Sequence, residues 1–251
     1  MPDNKERIVI VGATSAIAEH CARLWVKEAV VDLTLVGRDL GRTERVAADL
    51  RVRSPQSVIR VLVADFLAPL AISQLVDGIV AEGPVHIVLI AHGSLSDQVI
   101  CQQDLIACHE ALTLNGISPV LFAEAFVGYM QKANCGTVAV IGSVAGDRGR
   151  KSNYIYGAAK GLIARYVQGL QHRLAGTGVK VVLIKPGPTD TPMTAHLKQQ
   201  GAPLARAEDV ARCILKGIRQ GKPVLYVPGK WAVIMMIVRH LPNIIFNKLE
   251  I

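Results

Sequence analysis

Seven short runs of Val, Ile and Leu punctuate the chain, at residues 8–11, 33–36, 58–63, 87–90, 138–141, 179–184 and 224–227. Each reads as a β-strand. The runs are continuous rather than alternating, the pattern of strands buried on both faces, and the intervals between them are long enough for crossover helices. That combination implies a parallel sheet. The segments between carry helical apolar spacing, as in Leu162, Tyr166, Gly169, Leu170 and Leu174 after the fifth run, and no Pro- or Ser-rich linker divides them. The expected fold is α/β: one doubly wound domain with a seven-stranded parallel sheet flanked by helices. Residues 1–230 should form that domain, and residues 231–251 an apolar C-terminal extension.

Composition closes off other classes. Apolar residues are 51% of the chain and charged ones 19%, which excludes disordered, collagen-like and low-complexity sequences. The longest uninterrupted apolar run, residues 231–238, has eight residues, against about 18 needed to cross a bilayer. The amino terminus, MPDNKERIVIVGATS, passes at once from charges to a β-branched run and a glycine, without the apolar core or cleavage site of a signal peptide. A cytoplasmic location is the expectation. The five cysteines (Cys21, Cys101, Cys108, Cys135, Cys213) are odd in number, scattered and never paired as C-x-x-C, so neither a disulfide framework nor a metal site is indicated. A formal charge of +8 favours anionic partners. Nucleic acid is not expected among them, because the charge is spread through the chain and aromatics, at 4%, offer few stacking platforms.

The first strand runs into Gly12-Ala13-Thr14-Ser15-Ala16-Ile17-Ala18 and then a helical stretch from about residue 19 to residue 28. Strand, tight turn and helix start in that order set backbone N–H groups and the positive helix end against a pyrophosphate, although small residues also let any strand pack on its helix. The second strand ends in Gly37-Arg38-Asp39. An acidic side chain there accepts the ribose 2′-hydroxyl of NAD, whereas an arginine offers a fork of donors to the 2′-phosphate of NADP. Arg38 points to NADP(H), with Arg42 placed to assist; Asp39 is the competing signal.

Tyr156 and Lys160 stand four residues apart where a helix begins after the fifth strand, which puts phenol and ammonium on one face. A neighbouring cation lowers a tyrosine pKa by favouring phenolate, so the pair suits acid or base work on an oxygen. Ser143 ends the preceding strand, where its hydroxyl can bond the same oxygen. Asn115, in Leu114-Asn115-Gly116, falls mid-helix, where an amide bends the helix or holds a water. Singly, each has an ordinary alternative as a surface pair or a cap. Behind a nucleotide turn and in this order, they form a catalytic set.

On these residues the chain resembles the short-chain dehydrogenase/reductase family over nearly its whole length, which implies a Rossmann-type fold. In that family the tyrosine of Tyr-x-x-x-Lys is the acid/base, the lysine binds the nicotinamide ribose, the serine orients the carbonyl and an asparagine anchors a relay water. Carried over, these are Tyr156, Lys160, Ser143 and Asn115. The resemblance implies cofactor contacts at Gly12, Thr14, Ser15, Ala16 and Ile17 in the turn, and at Arg38 and Asp65 behind the second and third strands. It implies others at Ala91 and Gly93 after the fourth, at Tyr156 and Lys160, and at Pro186, Gly187, Thr189 and Thr191 after the sixth. It also implies a homodimer or homotetramer.

The chain departs from the family in two places. The Gly-x-x-x-Gly-x-Gly turn keeps only Gly12, with Ala16 and Ala18 at the other positions, and the usual Asn-Asn-Ala-Gly is Ile90-Ala91-His92-Gly93, where His92 is expected to serve structure. These variants, with residues 146–154 and the tail, are similar to a branch of the family that reduces a keto group on a lipid-linked sugar. Arg148, Arg150 and Lys151 lie between Ser143 and Tyr156; they either hold a phosphate or other anion at the substrate mouth or form a solvated basic loop. The tail, WAVIMMIVRHLPNIIFNKLEI, either lies in a bilayer interface with Trp231 at headgroup depth, as a peripheral contact on the inner face of the membrane, or packs over the pocket or between subunits. The expected activity is NADPH-dependent reduction of a keto group on a lipid-linked or other hydrophobic substrate. The alternatives are a reductase of a small soluble ketone and a non-catalytic NADP-binding regulatory protein.

Overall fold

Each apolar run becomes a strand of one parallel sheet in the computed structural model, which describes residues 5–249. The first half comprises β1 (Glu6–Val11), α1 (Ala16–Glu28), β2 (Val31–Gly37), α2 (Leu40–Arg53), β3 (Val58–Val63), α3 (Pro69–Ala81) and β4 (Ile87–Ile90). Next come α4 (Gln98–Gln103), α5 (Leu105–Leu112), a π-helical turn (Thr113–Ile117), α6 (Ser118–Ala133), β5 (Gly136–Ile141), a 3₁₀ turn (Val144–Gly146), α7 (Tyr154–Arg173) and β6 (Val179–Pro186). The last part holds the short β7 (Thr189–Asp190), α8 (Ala195–Gln199), β8 (Ala205–Arg206), α9 (Ala207–Arg219), β9 (Val224–Val227), α10 (Lys230–His240) and α11 (Asn243–Phe246). The main sheet runs β3-β2-β1-β4-β5-β6-β9, and β7 pairs with β8 beside it.

Continuous apolar runs are needed because both faces of the sheet are covered. Ile8, Ile10, Leu33, Leu35, Leu89 and Ile184 point into a core shared with Trp25 of α1, Leu50 of α2 and Ile214 of α9. Their neighbours Val9, Val11, Val88, Ile90, Val140 and Leu183 point the other way, onto Val76 of α3, Phe122 and Phe126 of α6 and Ile163 of α7. Among the described residues one helical stretch, Leu105–Ala133, is long and apolar enough to cross a membrane, with mean hydropathy 1.4. Half of its apolar window is buried, and Phe122 and Phe126 sit in the core, so its hydropathy reflects packing against the sheet.

Helix α1 starts at Ala16, three residues earlier than the sequence suggests, because alanines in place of turn glycines favour helix as soon as Ser15 has turned the chain. Ala18 is fully buried in the core, so its methyl points into the fold rather than at the mouth of the turn. The C-terminal segment is docked on the domain: Met235 is buried, and the Trp231 indole is seated on the Cα of Gly187 so closely that no Cβ fits there. Val233, Met236, Ile237 and Ile244 remain exposed on it. Glu250 and Ile251 of the expected extension, and residues 1–4 of the expected domain, lie outside the described residues.

Candidate active site

The strand order reverses at β1, which has β2 on one side and β4 on the other, so the loops leaving β1 and β4 diverge and open a crevice at the carboxyl ends of the strands. Gly12 turns the chain there with φ +83°, and a Cβ on it would come within 2.5 Å of the His92 nitrogen. Its N–H and that of Ala13 both donate to the Val36 carbonyl, at 2.9 and 3.1 Å, folding the turn onto the end of β2. Ser15 supplies no side-chain cap to α1, and helix geometry leaves the N–H groups of Ala16, Ile17 and Ala18 without an intrahelical acceptor. Thr14 lies in the same turn. This is a cradle for an anion at the positive end of a thirteen-residue helix.

At the next strand end the two candidate side chains separate. Asp39 is the N-cap of α2: its carboxylate accepts the Arg42 N–H at 2.8 Å, and its carbonyl accepts the Thr43 hydroxyl at 2.7 Å. Arg38 is exposed beside it. Asp65, exposed after β3, accepts the Leu67 N–H at 2.8 Å. Ala91 donates its N–H to Val11 at 2.8 Å, locking the end of β4 to β1. His92 is a core residue, as expected: its Nε2 is 2.9 Å from the Ser118 hydroxyl and its ring stands edge-on to Phe66 and Phe122. Burial holds its pKa down at about 3, so it is neutral.

The other side of the crevice brings the expected catalytic residues together. Lys160 is buried, donates to the Ile141 carbonyl at 3.1 Å and lies 5.7 Å from the centre of the Tyr156 ring. The Ser143 hydroxyl lies beside the Tyr156 phenol, and its oxygen accepts the Ala145 N–H at 3.1 Å. Asn115 is fully buried in the π-helical turn, with Nδ2 donating to the Ala111 carbonyl at 2.9 Å and Oδ1 accepting the Ser94 N–H at 2.8 Å. Gly93, at φ +157°, passes between these groups: a Cβ there would lie 2.8 Å from Asn115 Oδ1 and 3.5 Å from Lys160 Nζ. Pro186 ends β6, and Gly187 donates to the Val227 carbonyl at 2.9 Å. The Thr189 hydroxyl bonds the Gly187 carbonyl at 2.9 Å and that of Thr191 lies 3.2 Å from Thr194 Oγ1, so both shape their own turn.

Two expectations need correction. The sequence suggests that Lys160 lowers the pKa of Tyr156. Instead burial raises the phenol to about 12, with the Ser143 hydrogen bond pulling against it, and burial lowers Lys160 to about 8. Removing water disfavours the charged form of each group, which moves the two in opposite directions. The second concerns the basic loop. Arg148 Nη1 donates to the Val238 and Leu241 carbonyls, both at 2.6 Å, and Nη2 to Asn243 Oδ1 at 2.9 Å, while the guanidinium stacks 3.7 Å over the Phe246 ring. It is committed to the C-terminal helices and is not available to an anion. Arg150 differs: it is half-buried, burial lowers its pKa, and among the described residues no hydrogen bond or ion pair holds its side chain. Lys151 is exposed.

One cluster goes beyond the sequence reading. Lys185 Nζ donates to Asp147 Oδ1 at 2.5 Å and the Tyr226 hydroxyl to Asp147 Oδ2 at 2.7 Å, with both charged side chains under 10% exposed. A lysine at the end of an otherwise apolar buried strand was its signal, since such a charge requires a partner.

A doubly wound sheet with an anion cradle at its switch point and a Ser-Tyr-Lys group across the crevice defines a dinucleotide-dependent oxidoreductase. The short-chain dehydrogenase family model matches residues 6–202. The chain belongs to that family. An uncharacterized oxidoreductase of Mycobacterium tuberculosis is 32% identical over 96% of this chain and 96% of its own. Among solved structures, a short-chain dehydrogenase from Sphingobium yanoikuyae in complex with NADPH superposes with TM-score 0.83 at 23% identity, over 97% of this chain and 96% of that one. The bulky-bulky ketone specific alcohol dehydrogenase from Comamonas testosteroni does so with TM-score 0.80 at 21% identity, over 98% and 96%. At these identities the two likenesses show the fold.

Proposed function

We propose that the protein is an NADPH-dependent carbonyl reductase in which Ser143, Tyr156, Lys160 and Asn115 do the chemistry, in a branch resembling decaprenylphosphoryl-2-keto-ribose reductase. The observation that carries this is Lys160, buried and fixed to the Ile141 carbonyl at 3.1 Å, with its Nζ 5.7 Å from the centre of the Tyr156 ring and Ser143 beside that phenol at the mouth of the crevice. We assign residues 1–230 to the cofactor and catalytic domain and residues 231–251 to its extension. The cofactor fits what is present: the α1 N-terminus and Gly12 turn take the pyrophosphate, with Thr14, Ser15, Ala16 and Ile17 around it, and exposed Arg38 takes the 2′-phosphate. Asp65 would face the adenine, Ala91 and Gly93 would line the middle, and Pro186, Gly187, Thr189 and Thr191 would back the nicotinamide. The NADPH of the Sphingobium protein and the bulky ketones of the Comamonas enzyme agree with this reading.

When bound, the nicotinamide supplies the hydride that reduces the keto carbon. Ser143 holds the keto oxygen, and Tyr156, protonated throughout the neutral range, hands it a proton. Lys160 binds the ribose and steadies the phenolate left behind, and Asn115 anchors the water that reprotonates it. The sign of the pH dependence follows. Tyr156 keeps its proton to about pH 12, whereas Lys160 loses its charge as pH rises through about 8. Reductive kcat/KM, which reports the free enzyme, is expected to be level in the acid-to-neutral range and to fall with one apparent pKa near 8. A profile that stays level until the phenol titrates would remove Lys160 from the mechanism.

Arg150 provides the substrate's anion contact, which suits a phosphate-bearing, lipid-linked keto sugar. We further infer a cytoplasmic protein whose apolar tail meets the inner face of the membrane, with exposed Leu105, Ile106, Ile117 and Leu162 on α5 to α7 as the self-association surface of a homodimer or homotetramer. The test is NADPH oxidation with detergent-dispersed bacterial lipid extract, beside a small anionic ketone, a neutral ketone of the same shape and an extract-free control. Arg150→Gln is expected to raise KM for the anionic substrates by about tenfold, the value of one charge-assisted hydrogen bond. Equal KM changes for anionic and neutral ketones would remove Arg150 from recognition, and consumption of small ketones alone would replace the lipid substrate with a soluble one. Flotation with anionic vesicles and light scattering test the membrane and dimer contacts; a protein that stays unbound and monomeric would overturn them.

A further inference from the structure

We propose that the adjacent residues Asp147 and Arg148 form a two-sided anchor that positions Ser143, making the C-terminal helix pair α10–α11 a working part of the active site. The proposal rests on the reading of Ser143 as the group that holds the substrate oxygen.

Ser143 leaves the sheet at the end of β5 and enters a short 3₁₀ turn. The hydrogen bonds of that turn, Ala145 N–H to Ser143 Oγ, Gly146 N–H to the Ser143 carbonyl and Asp147 N–H to the Val144 carbonyl, give it shape but no fixed place on the domain. One side is set by packing, where Gly146 backs onto the main chain of Lys160 so tightly that a Cβ would come within 2.6 Å of the Lys160 carbonyl carbon. The other side is set by side chains. Asp147 reaches inward with both oxygens used, one by Lys185 beside Pro186-Gly187 and one by Tyr226 on β9. The carboxylate is only 3% exposed, which makes the bond to Lys185 a buried, charge-assisted one.

Arg148 reaches the opposite way. The last carbonyls of a helix lack intrahelical donors and carry the negative end of its dipole. Arg148 covers two carbonyls at the end of α10, that of Leu241 and that of Val238, which also takes the Leu241 N–H, then bonds Asn243 and stacks on Phe246 of α11. Met235 is the one buried residue along α10 and none is buried in α11, so among the described residues this guanidinium is a principal clamp on the segment. At its other end α10 presses Trp231 onto Gly187. The segment thus spans from the Lys185-Pro186-Gly187 turn to the Ser143 loop, and through Asp147 and Arg148 the loop is held between them.

The experiment compares the full-length wild-type protein with Arg148→Lys, Arg148→Met and the pair Asp147→Asn with Lys185→Met, which removes both buried charges together. The readouts are hydrogen exchange of residues 143–148 and 236–247, the Kd for NADPH, and kcat and KM for a ketone. Arg148→Met and the pair are each expected to speed exchange across 143–148 and to lower kcat by about tenfold or more, the scale on which misplacing a reacting group is felt, with Kd for NADPH unchanged. Arg148→Lys, which keeps the charge and loses the fork and stacking, is expected to do the same to a smaller extent, and it serves if the methionine variant does not fold. Faster exchange at 236–247 with 143–148 and kcat as in the wild type would overturn the proposal, leaving Arg148 a tail clamp only. A wild-type protein that binds NADPH and reduces no ketone defeats the catalytic reading instead, and exchange at 143–148 then still decides whether the anchor exists.

Discussion

Replacing Tyr156 with phenylalanine is expected to lower kcat for ketone reduction by about a thousandfold, within the range of roughly 10²–10⁴ that a positioned general acid contributes, while NADPH binds as before. The change is narrow. Phenylalanine keeps the ring that lies 5.7 Å from Lys160 Nζ and removes only the hydroxyl beside Ser143. Lys160 keeps its bond to the Ile141 carbonyl, and the α1 cradle is on the far side of the crevice. Fluorescence titration with NADPH and a stopped-flow single turnover separate binding from chemistry. Turnover within about tenfold of the wild type, a barrier change near 1.4 kcal/mol, would reject Tyr156 as the acid. A protein that binds NADPH and consumes none, with or without the hydroxyl, would favour the regulatory alternative.

Most of the architecture was legible in the sequence because burial on both faces of the sheet forces a readable pattern: where Val9 and Ile10 must both be apolar, the run announces the strand. The Ser143, Tyr156, Lys160 and Asn115 positions were legible for a related reason, since strand ends and helix faces fix where their side chains meet. What escaped depends on contacts between segments far apart in the chain. Arg148 reads as one of three loop cations, yet its acceptors are about ninety residues away at the end of α10. Asp147 and Tyr226 are unremarkable until β6 and β9 are set side by side. The phenol's pKa could not be read from spacing either: four residues give adjacency to a cation, but the degree of burial sets the sign, and burial wins.

The largest expected change in cofactor preference lies at Arg38. In sequence, Arg38 and Asp39 make opposite claims on the cofactor ribose, and the structure separates them by giving the Asp39 carboxylate to the N-terminus of α2. Capping bonds of this kind are worth about 1 kcal/mol to the helix, and breaking one to reach a ribose hydroxyl returns little. Among the described residues Arg38 has no such commitment, and it carries a fork of donors suited to a phosphate. Arg38→Gln is therefore expected to raise the Kd for NADPH by about 30-fold, which corresponds to roughly 2 kcal/mol, the strength of a hydrogen bond to a charged group. The Kd for NADH should change little, because its ribose offers no charge to lose, and the salt dependence of NADPH binding should weaken with the arginine gone. Asp39→Ala supplies the converse: it should lower the melting temperature through the lost cap and leave the ratio of the two Kd values where it was. If Asp39→Ala instead weakened NADH selectively, or the wild type bound NADH as tightly as NADPH, the aspartate would be the ribose ligand and the cap a resting arrangement that the cofactor displaces.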